Sequence, residues 1–500
     1  MDTRATIDRW LAQGRASASE DGLVFAEAAG LTMVEKFHRA YEWITGQVVF
    51  SPYTDIEIGR PVVLGRGSSR VHLHPDGSYS SFVLLPLLNL MCSRRVLFVG
   101  APGRGKTTVA TLMGLLVGHP LQDMRRAIQH GHPQLTMADL LGSPLPGDMV
   151  RATEPGQIQV AWRRWLTLRV KIIDEYNRIP TKTQSALLSL MAEGYAEMFE
   201  QTIETGRSAW YLTANDELGG GTFPVIEALK DRIDVVVRCP PVDPAGLAAL
   251  ARRVAEDRSP EAFVPEDVLF TREELARVDA AVRAVPVPDD VQDALGFFMA
   301  QLDFCRRASD QLEYMNKDTL HLAGRRVAHV CTEDCPLDKQ ENLCTQTENG
   351  LSARAWQTLV HFSQALAWFR GAEAVSVSDV RQLLPWVLHE KLKVNPQSDF
   401  FQAPENHVHL TDRVGWIRQL FDRSMAHRAA RKVERSNLAA WEAELREGGL
   451  GVAELKARLS RMKARTETLL ERSELGAPVH MELLRLKRLY YGYRAALDRR

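Results

Sequence analysis

The sequence predicts an α/β protein with a parallel sheet, followed by an all-helical region with a cysteine-bearing insertion and by a helical C-terminal extension. A glycine-rich loop at residues 100–107 stands between an apolar strand and a helix, and a second apolar run at 168–173 ends in two acidic residues. Residues 421–500 are nearly free of proline and space their apolar side chains as a helix does. Strands that alternate with helices are typical of a parallel sheet covered by helices.

The composition is that of an ordinary globular protein. The 500 residues are 45% hydrophobic and 25% charged, which suits roughly two to four domains with their own cores. No apolar stretch reaches the roughly 18 residues that a membrane helix needs, and the first residues lack an apolar signal core. A formal net charge of −1 gives no overall basic footprint for nucleic acid. These features predict a cytoplasmic protein without membrane insertion.

The loop GAPGRGKT at residues 100–107 fills the pattern G-x-x-x-x-G-K-[ST] that binds nucleotide phosphates. Glycines let backbone N–H groups face the phosphate oxygens, and the helix that follows directs its positive end at the same anion. Lys106 would reach the β- and γ-phosphates, and the Thr107 hydroxyl would ligate Mg²⁺. A chance match is the alternative, but the flanking strand and helix are the context that the pattern requires. The predicted ATP-binding residues of the loop are Gly100, Pro102, Gly103, Arg104, Gly105, Lys106, Thr107 and Thr108.

The apolar run LRVKII at 168–173 predicts a central strand, and Asp174 and Glu175 follow at its tip. Asp174 would hold Mg²⁺ through water, and Glu175 would orient and deprotonate the attacking water. Two adjacent carboxylates after a strand can also form a solvated turn. Because a phosphate-binding loop lies upstream, we interpret the pair as the acidic residues of an ATP hydrolase.

The stretch DEYNRIPTKTQSALL at 174–188 resembles the DEINRAP-PKTQSALL signature of the MoxR-type AAA+ ATPases. This resemblance extends over roughly residues 75–392 and implies a AAA+ P-loop NTPase core with a parallel sheet and an all-α lid. It does not cover the two ends of the chain. The predicted domains are an N-terminal helical and β extension at 1–75, a nucleotide-binding core at 76–242, a lid at 243–395 with the cysteine insertion at about 305–349, and a helical domain at 396–500 that could form a coiled coil.

Further segments resemble the same family in the expected order. LTAN at 212–215 is similar to the sensor-1 segment, which implies that Asn215 helps to position the lytic water. GTFPVIEALKDR at 221–232 is similar to the family's GTYPLPEAQLDRF, which implies that Arg232 is an arginine finger reaching into a neighbouring subunit's site. Arg238 is the back-up candidate, and a solvent-facing arginine at a helix end is the alternative.

The lid and the insertion before the acidic strand depart from the family's pattern. GLSARA at 350–355 resembles the GASPRA that opens the sensor-2 helix, which implies that Arg354 turns toward the γ-phosphate. Ala353 stands where the family has proline, and the alternative is that Arg354 is a solvated helix arginine. Residues 145–165 do not match the usual segment, where the resemblance implies a substrate-facing insertion. Trp162 and Trp165 could be its contacts or could be buried core.

Four of the six cysteines lie close together in the sequence. Four sulfur atoms are enough for tetrahedral Zn²⁺ or for an iron–sulfur cluster, and His321 and His329 are spare ligands. A short polar insertion has little core, so a bound metal would explain its order. Three residues lie between Cys331 and Cys335, and eight between Cys335 and Cys344; neither spacing is a standard metal-binding motif. Free buried thiols are the alternative. The candidate ligands are Cys305, Cys331, Cys335 and Cys344.

The N-terminal extension at residues 1–75 has predicted secondary structure but no candidate catalytic or binding residues. Helices are expected at residues 6–13 and 31–45, a β segment around Val62 to Leu64, and a turn at 75–77.

Residues 421–500 predict two or three long helices that pair with each other, with Leu455, Leu459 and Met462 at helical spacing. This segment holds 18 Lys or Arg against 11 Asp or Glu, a local net charge of +7 that is a solvated face or, alternatively, a nucleic-acid arm. Its aromatic group could seat a partner or close the helical hairpin: Tyr490, Tyr491 and Tyr493.

Three functional hypotheses follow. The resemblance implies a ring-forming, hexameric ATP-driven chaperone that works with a von Willebrand A-type partner and remodels or activates a client protein or metalloenzyme complex. A nucleic-acid motor would need a basic channel or a DNA-binding module, and the C-terminal charge alone is a modest sign of one. A nucleotide switch that does not hydrolyse is disfavoured by the set Asp174, Glu175, Asn215 and Arg232.

Overall fold

The structure of the chain is a computed structural model. It divides into two compact units, each of which is built from two segments of the sequence. The first comprises Met1–Pro286 and Thr358–Val375, and the second comprises Val287–Gln357 and Ser376–Arg500. The predicted helix at 6–13 and turn at 75–77 lie outside the described residues. The structure describes residues 31–48, 54–57, 62–64, 71–73, 78–215, 225–242, 244–256, 259–262, 264–331 and 335–500.

In the first unit, strands and helices alternate along most of the chain. The described strands are β1 (Val62–Leu64), β2 (Val71–Leu73), β3 (Arg95–Val99), β4 (Gln129–His130), β5 (Gly142–Pro144), β6 (Val160–Trp162), β7 (Val170–Asp174), β8 (Tyr195–Met198), β9 (Gln201–Glu204), β10 (Ala209–Ala214) and β11 (Val235–Arg238). The described helices are α1 (Met33–Trp43), α2 (Ser81–Cys92), α3 (Lys106–Leu116), α4 (Leu121–Ala127), α5 (Met137–Leu141), α6 (Pro146–Arg151), α7 (Thr181–Glu193), α8 (Glu227–Arg232), α9 (Pro244–Ala255) and α10 (Arg272–Ala284).

A five-stranded sheet of the described residues has the order β11-β3-β10-β7-β4, and each neighbouring pair is parallel. Leu212 of β10 lies opposite Leu97 of β3 on one side and Ile173 of β7 on the other. The carboxyl ends of these three strands therefore meet at one edge of the sheet. That register carries the residues that follow each strand to the same place, and it confirms the predicted parallel sheet.

The central strands are buried on both faces, which explains their continuous apolar runs. All six residues of β10 are buried, as are the three middle residues of β3. Helix α2 is buried along its whole length despite Pro86, whose carbonyl oxygen accepts a hydrogen bond of 2.9 Å from the Tyr211 hydroxyl. Among the described helices, none combines the length and apolarity that a membrane crossing would require.

The predicted N-terminal helix is confirmed as α1, which runs into a π-helical turn at Ile44–Val48. Thr32 caps it in a capping box with Glu35. The ring of Phe37 stacks on Phe270 with centroids 4.2 Å apart, and Lys36 pairs with Glu274 at 3.0 Å. Helix α1 is thus packed within the first unit, and the predicted β segment is confirmed as β1.

The second unit is helical. Helix α14 (Ala353–Phe369) begins in this unit and ends in the first, and α15 (Val377–Leu388) confirms the helix predicted near residues 377–389. The described helices are α11 (Asp289–Asp303), α12 (Lys317–Leu322), α13 (Val327–Cys331), α14 (Ala353–Phe369), α15 (Val377–Leu388), α16 (Asp399–Gln402), α17 (Arg413–Ala430), α18 (Lys432–Glu447), α19 (Val452–Arg472) and α20 (Ala477–Asp498).

The predicted C-terminal helices pack against one another around an apolar core. Leu455, Leu459 and Met462 are buried in it, as their spacing predicts. Tyr493 is fully buried and its hydroxyl donates to the Trp441 carbonyl oxygen at 2.8 Å, so this tyrosine closes the bundle. Part of the local positive charge is paired within the bundle, as in the 2.7 Å contact between Arg465 Nε and Glu482 Oε1.

Candidate functional site

The glycine-rich loop joins β3 to α3 and bends where glycine is needed. Gly105 caps α3 with a φ of +75°, in the left-handed region that costs glycine little. The side chain of Lys106 is buried in the loop. Its ammonium donates to the carbonyl oxygens of Gly100 and Ala101, and to Asn215 Oδ1 at 2.7 Å. The lysine therefore connects the loop to the residue that follows β10.

The Asp174 carboxylate contacts side chains from three other elements. Thr107, in the first turn of α3, donates its hydroxyl to Asp174 Oδ1 at 2.9 Å, and Thr213 of β10 donates to the same oxygen at 2.6 Å. His130, at the end of β4, places Nδ1 3.3 Å from the other carboxylate oxygen. Hydroxyl and carboxylate oxygens are the ligands that Mg²⁺ prefers, so the Thr107–Asp174 pair fits this ion.

Glu175 has a left-handed backbone, with φ 53° and ψ 48°. Its N–H donates to Thr213 Oγ1 at 2.9 Å, and its Oε1 accepts from Asn215 Nδ2 at 2.6 Å. The other carboxylate oxygen lies 3.2 Å from Arg178 Nε. A Cβ atom at Gly131 would lie 2.2 Å from the carbonyl oxygen of Glu175, so the close approach of this loop requires glycine there.

A cavity of about 770 Å³ lies at this edge of the sheet, within the first unit. Its polar end is lined by the predicted loop residues Pro102 to Thr108, and by Asp174, Glu175 and Asn215. Gly100 contributes its carbonyl oxygen to Lys106. The rest of the wall contains polar side chains, among them Arg253 and Glu261, and apolar side chains that suit a purine ring: Val48, Phe82, Val242, Leu250 and Val254. The cavity can thus accept both a polyphosphate and an aromatic base.

Sequence reasoning missed Thr213, His130 and Arg178. A signal for Thr213 was available, because residues two apart on a strand face the same side and Thr213 precedes Asn215 by two. The apolar wall had no signal, since its residues come from segments far apart in the chain.

Comparisons with known proteins agree with this geometry. The model of the ATPase family associated with various cellular activities (AAA) matches residues 95–235, and an AAA lid domain model matches 339–409. The chain is 25% identical over 319 residues to Protein MoxR of Paracoccus denitrificans, covering 63% of this chain and 84% of that protein. It is 24% identical over 309 residues to Chaperone MoxR1 of Mycobacterium tuberculosis, covering 61% and 69% respectively.

These matches support a MoxR-type AAA+ ATPase. A solved structure from Cytophaga hutchinsonii aligns with 66% of this chain and 88% of its own, with a TM-score of 0.46 and 17% identity, a similarity too low to add to the argument.

The three arginines expected of a MoxR-type site occupy different places. Arg232 ends α8, where its Nη1 donates to the Ala228 carbonyl oxygen at 3.0 Å, and residues 221–224 before it lie outside the described part of the chain. Arg238 is exposed at the end of β11, opposite Val99. Neither is among the residues that line the cavity. Arg354 stands in the first turn of α14, in the second unit.

In the segment at 145–165, the two tryptophans belong to the core. Trp165 is 3% exposed, donates Nε1 to the Leu140 carbonyl oxygen at 2.7 Å, and meets Trp210 edge to face. Trp162 packs partly buried on the same cluster. The exposed large apolar side chains of this segment are instead Leu145, at 39%, just before α6, and Met149, at 56%, and Val150, at 88%, on α6.

The predicted zinc or iron–sulfur site is not supported. Cys305 and Cys331 belong to one apolar cluster, whereas Cys335 and Cys344 pack in another. Burial raises the pKa of the Cys331 and Cys344 thiols to about 12, as expected of thiols in apolar surroundings. Over the described ranges, no three His, Cys, Asp or Glu side chains are grouped closely enough to hold an ion.

Hydrogen bonds help to order the described part of this insertion. Lys317, which is fully buried, donates to the Thr347 carbonyl oxygen at 2.7 Å. The Glu348 carboxylate accepts from the backbone N–H groups of Val327 and Ala328, both at 3.1 Å, at the start of α13. The spare ligands His321 and His329 are exposed. The described residues therefore give the predicted cysteine site no support.

Proposed function

We propose that this protein is an ATP-driven chaperone that remodels a client protein. The support is twofold: the chain is a AAA+ ATPase, and one of its relatives is named a chaperone. The observation that carries the ATPase part is the meeting of Thr107 with Asp174, and of Asn215 with Glu175, beside one cavity.

In this proposal the loop binds the phosphates of ATP. Backbone N–H groups of residues 102–108 and the positive end of α3 face the polyphosphate. Lys106, which is held by two loop carbonyl oxygens and Asn215 in the resting site, turns its ammonium to the β- and γ-phosphates. Thr107 and Asp174 hold Mg²⁺, which when bound neutralises charge on the phosphate oxygens.

Glu175 is the general base. Its carboxylate takes a proton from water while the water oxygen attacks the γ-phosphorus, and the bond to the β-phosphate oxygen breaks to leave ADP and phosphate. Asn215 orients this carboxylate through the 2.6 Å contact to Oε1. Removal of such a base costs roughly 10² to 10⁴ in rate.

Assembly supplies the remaining groups in the proposal. A hexameric ring forms by head-to-tail contacts, so that Arg232 of each protomer completes the site of the next, and Arg354 contacts the γ-phosphate. Arg238 is the second candidate for the finger. ATP hydrolysis then makes the protein open and close around the nucleotide, and this motion does conformational work on the client.

The client side of the proposal involves exposed apolar residues. Met149 and Val150 present flexible apolar surface on the insertion, which suits transient contact with an unfolded or partly folded polypeptide. A von Willebrand A-type protein is the proposed partner, a metalloenzyme complex is one proposed client, and the proposed compartment is the cytoplasm.

The test uses Glu175→Gln as a trap. This variant should bind ATP without turnover and retain a client on affinity purification, and the recovered protein should then stimulate ATP hydrolysis by the wild-type chain. Lys106→Ala is the matched control, because it should bind neither ATP nor client. Stimulation by single-stranded DNA in place of protein, lost at raised salt, would contradict the chaperone role and favour a nucleic-acid motor.

A further inference from the structure

Arg178, which lies within the signature stretch at 174–188, contacts the carboxylate that we assign as the general base. It ends the 3₁₀ turn Tyr176–Arg178, in which its N–H donates to the Glu175 carbonyl oxygen at 2.9 Å. The turn brings the guanidinium back over the residue three positions earlier, and Arg178 Nε lies 3.2 Å from Glu175 Oε2. This ion pair is on the opposite carboxylate oxygen from Asn215.

The turn that carries Arg178 is firmly anchored. Tyr176, Asn177 and Ile179 are all buried, at 5%, 7% and 0% exposure. The Arg178 side chain, in contrast, is 41% exposed, and it is absent from the residues that line the nucleotide cavity. The backbone therefore holds the guanidinium within reach of Glu175 from outside the cavity, while the side chain itself is partly exposed to solvent.

Both oxygens of the Glu175 carboxylate are engaged in this state. Asn215 donates to Oε1 at 2.6 Å and Arg178 faces Oε2 at 3.2 Å. A general base needs an oxygen directed at the proton that it takes. Of the two contacts, the one with Arg178 is the easier to release, because a partly exposed ion pair is weak and its loss leaves no buried charge.

We infer that Arg178 is a positioning residue that restrains Glu175 and so limits basal ATP hydrolysis. The inference rests on the proposed role of Glu175. In the resting site Arg178 occupies Oε2, and water activation proceeds from the fraction of molecules in which that oxygen is released. The restraint acts on the chemical step and not on nucleotide binding, because Arg178 does not line the cavity. An ion pair of this exposure shifts such an equilibrium by up to about five-fold.

The experiment compares Arg178→Met with wild type in steady-state ATP hydrolysis by the full chain. Methionine keeps an unbranched apolar stem and removes the donor. We expect kcat to rise about two- to five-fold with KM unchanged. Arg178→Lys, which keeps a cation in reach, should return kcat toward the wild-type value. Lys182→Met is the matched control, because it removes an exposed cation four positions along the chain and should leave kcat unchanged.

Three outcomes would overturn the inference. One is a kcat for Arg178→Met at or below wild type in a protein with unchanged Tm. Another is an equal rise in Lys182→Met, and the third is a rise that persists when Arg178→Met is combined with Glu175→Gln. If Arg178→Met lowers Tm, Arg178→Ala takes its place under the same criteria. Normal turnover by Glu175→Gln alone would instead overturn the proposed function, and with it this inference.

Discussion

The hydroxyl of Thr107 donates a hydrogen bond of 2.9 Å to the carboxylate of Asp174. One residue opens the helix after the phosphate-binding loop and the other ends a strand, so this single contact joins the two halves of the ATP site. Both oxygens suit Mg²⁺, and the pair gives the first prediction.

Thr107→Val should raise the Mg²⁺ concentration needed for half-maximal ATP hydrolysis by at least about ten-fold, since it removes an oxygen ligand at nearly constant volume. Titration of activity with Mg²⁺ at saturating ATP measures this. Thr107→Ser, which keeps the hydroxyl, is the control and should resemble wild type. Equal Mg²⁺ dependence of Thr107→Val and wild type would contradict the assignment.

Lys106→Ala and Glu175→Gln should separate binding from chemistry. The first removes the cation that faces the polyphosphate, so ATP binding should fall below detection in a calorimetric titration. The second keeps shape and hydrogen bonding but cannot accept a proton, so ATP binding should persist while turnover falls roughly 10² to 10⁴-fold. Loss of ATP binding by Glu175→Gln would argue for a structural role instead.

Arg232→Ala should hydrolyse ATP poorly alone and recover activity when mixed with Lys106→Ala. The second variant cannot bind ATP but offers an intact finger to its neighbour. The measurement is specific activity across mixing ratios, with Arg238→Ala treated in the same way as the control. Activity that only declines with dilution would count against action between subunits.

Lys171 should make stability depend on pH. It is 1% exposed on β7, donates to the Leu168 carbonyl oxygen at 2.8 Å, and burial lowers its pKa from 10.5 to about 7. Between these values the unfolded chain holds a proton that the folded chain lacks, so stability rises with pH in this window. Relative to Lys171→Met, the free energy of unfolding of wild type should increase by about 2 kcal/mol from about pH 7 to about pH 9.

Urea unfolding of both proteins at the two pH values checks this prediction. Lys182→Met, which removes an exposed lysine, should show the same pH dependence as wild type. A constant difference between wild type and Lys171→Met would mean that the buried amine keeps its proton.

The sequence was informative where function depends on consecutive residues. The phosphate loop, the acidic pair after β7 and Asn215 after β10 each follow a strand, and parallel strands carry their carboxyl ends to one edge. It was uninformative where contacts join distant segments. The apolar wall of the cavity combines Val48 with Val254, and neither belongs to a motif.

The cysteines and tryptophans show a second limit. Residue type and spacing identified Cys305 to Cys344 as potential ligands, but packing directs the thiols into two apolar clusters. Likewise Trp165 fills the core next to Trp210, and the exposed apolar surface falls to Met149 and Val150. Chemical capacity can be read from a sequence, whereas the direction of a side chain is decided by its neighbours.

The backbone at Glu175 is one that glycine adopts readily and glutamate does not. Such a conformation costs of order 1–3 kcal/mol. Glu175→Gly would therefore remove the backbone strain at this residue and, with it, the proposed general base. Selection for thermal stability alone can therefore favour a more stable but inactive variant at this position. Screens for stabilised variants of this chain need a measurement of ATP turnover in addition to the melting temperature.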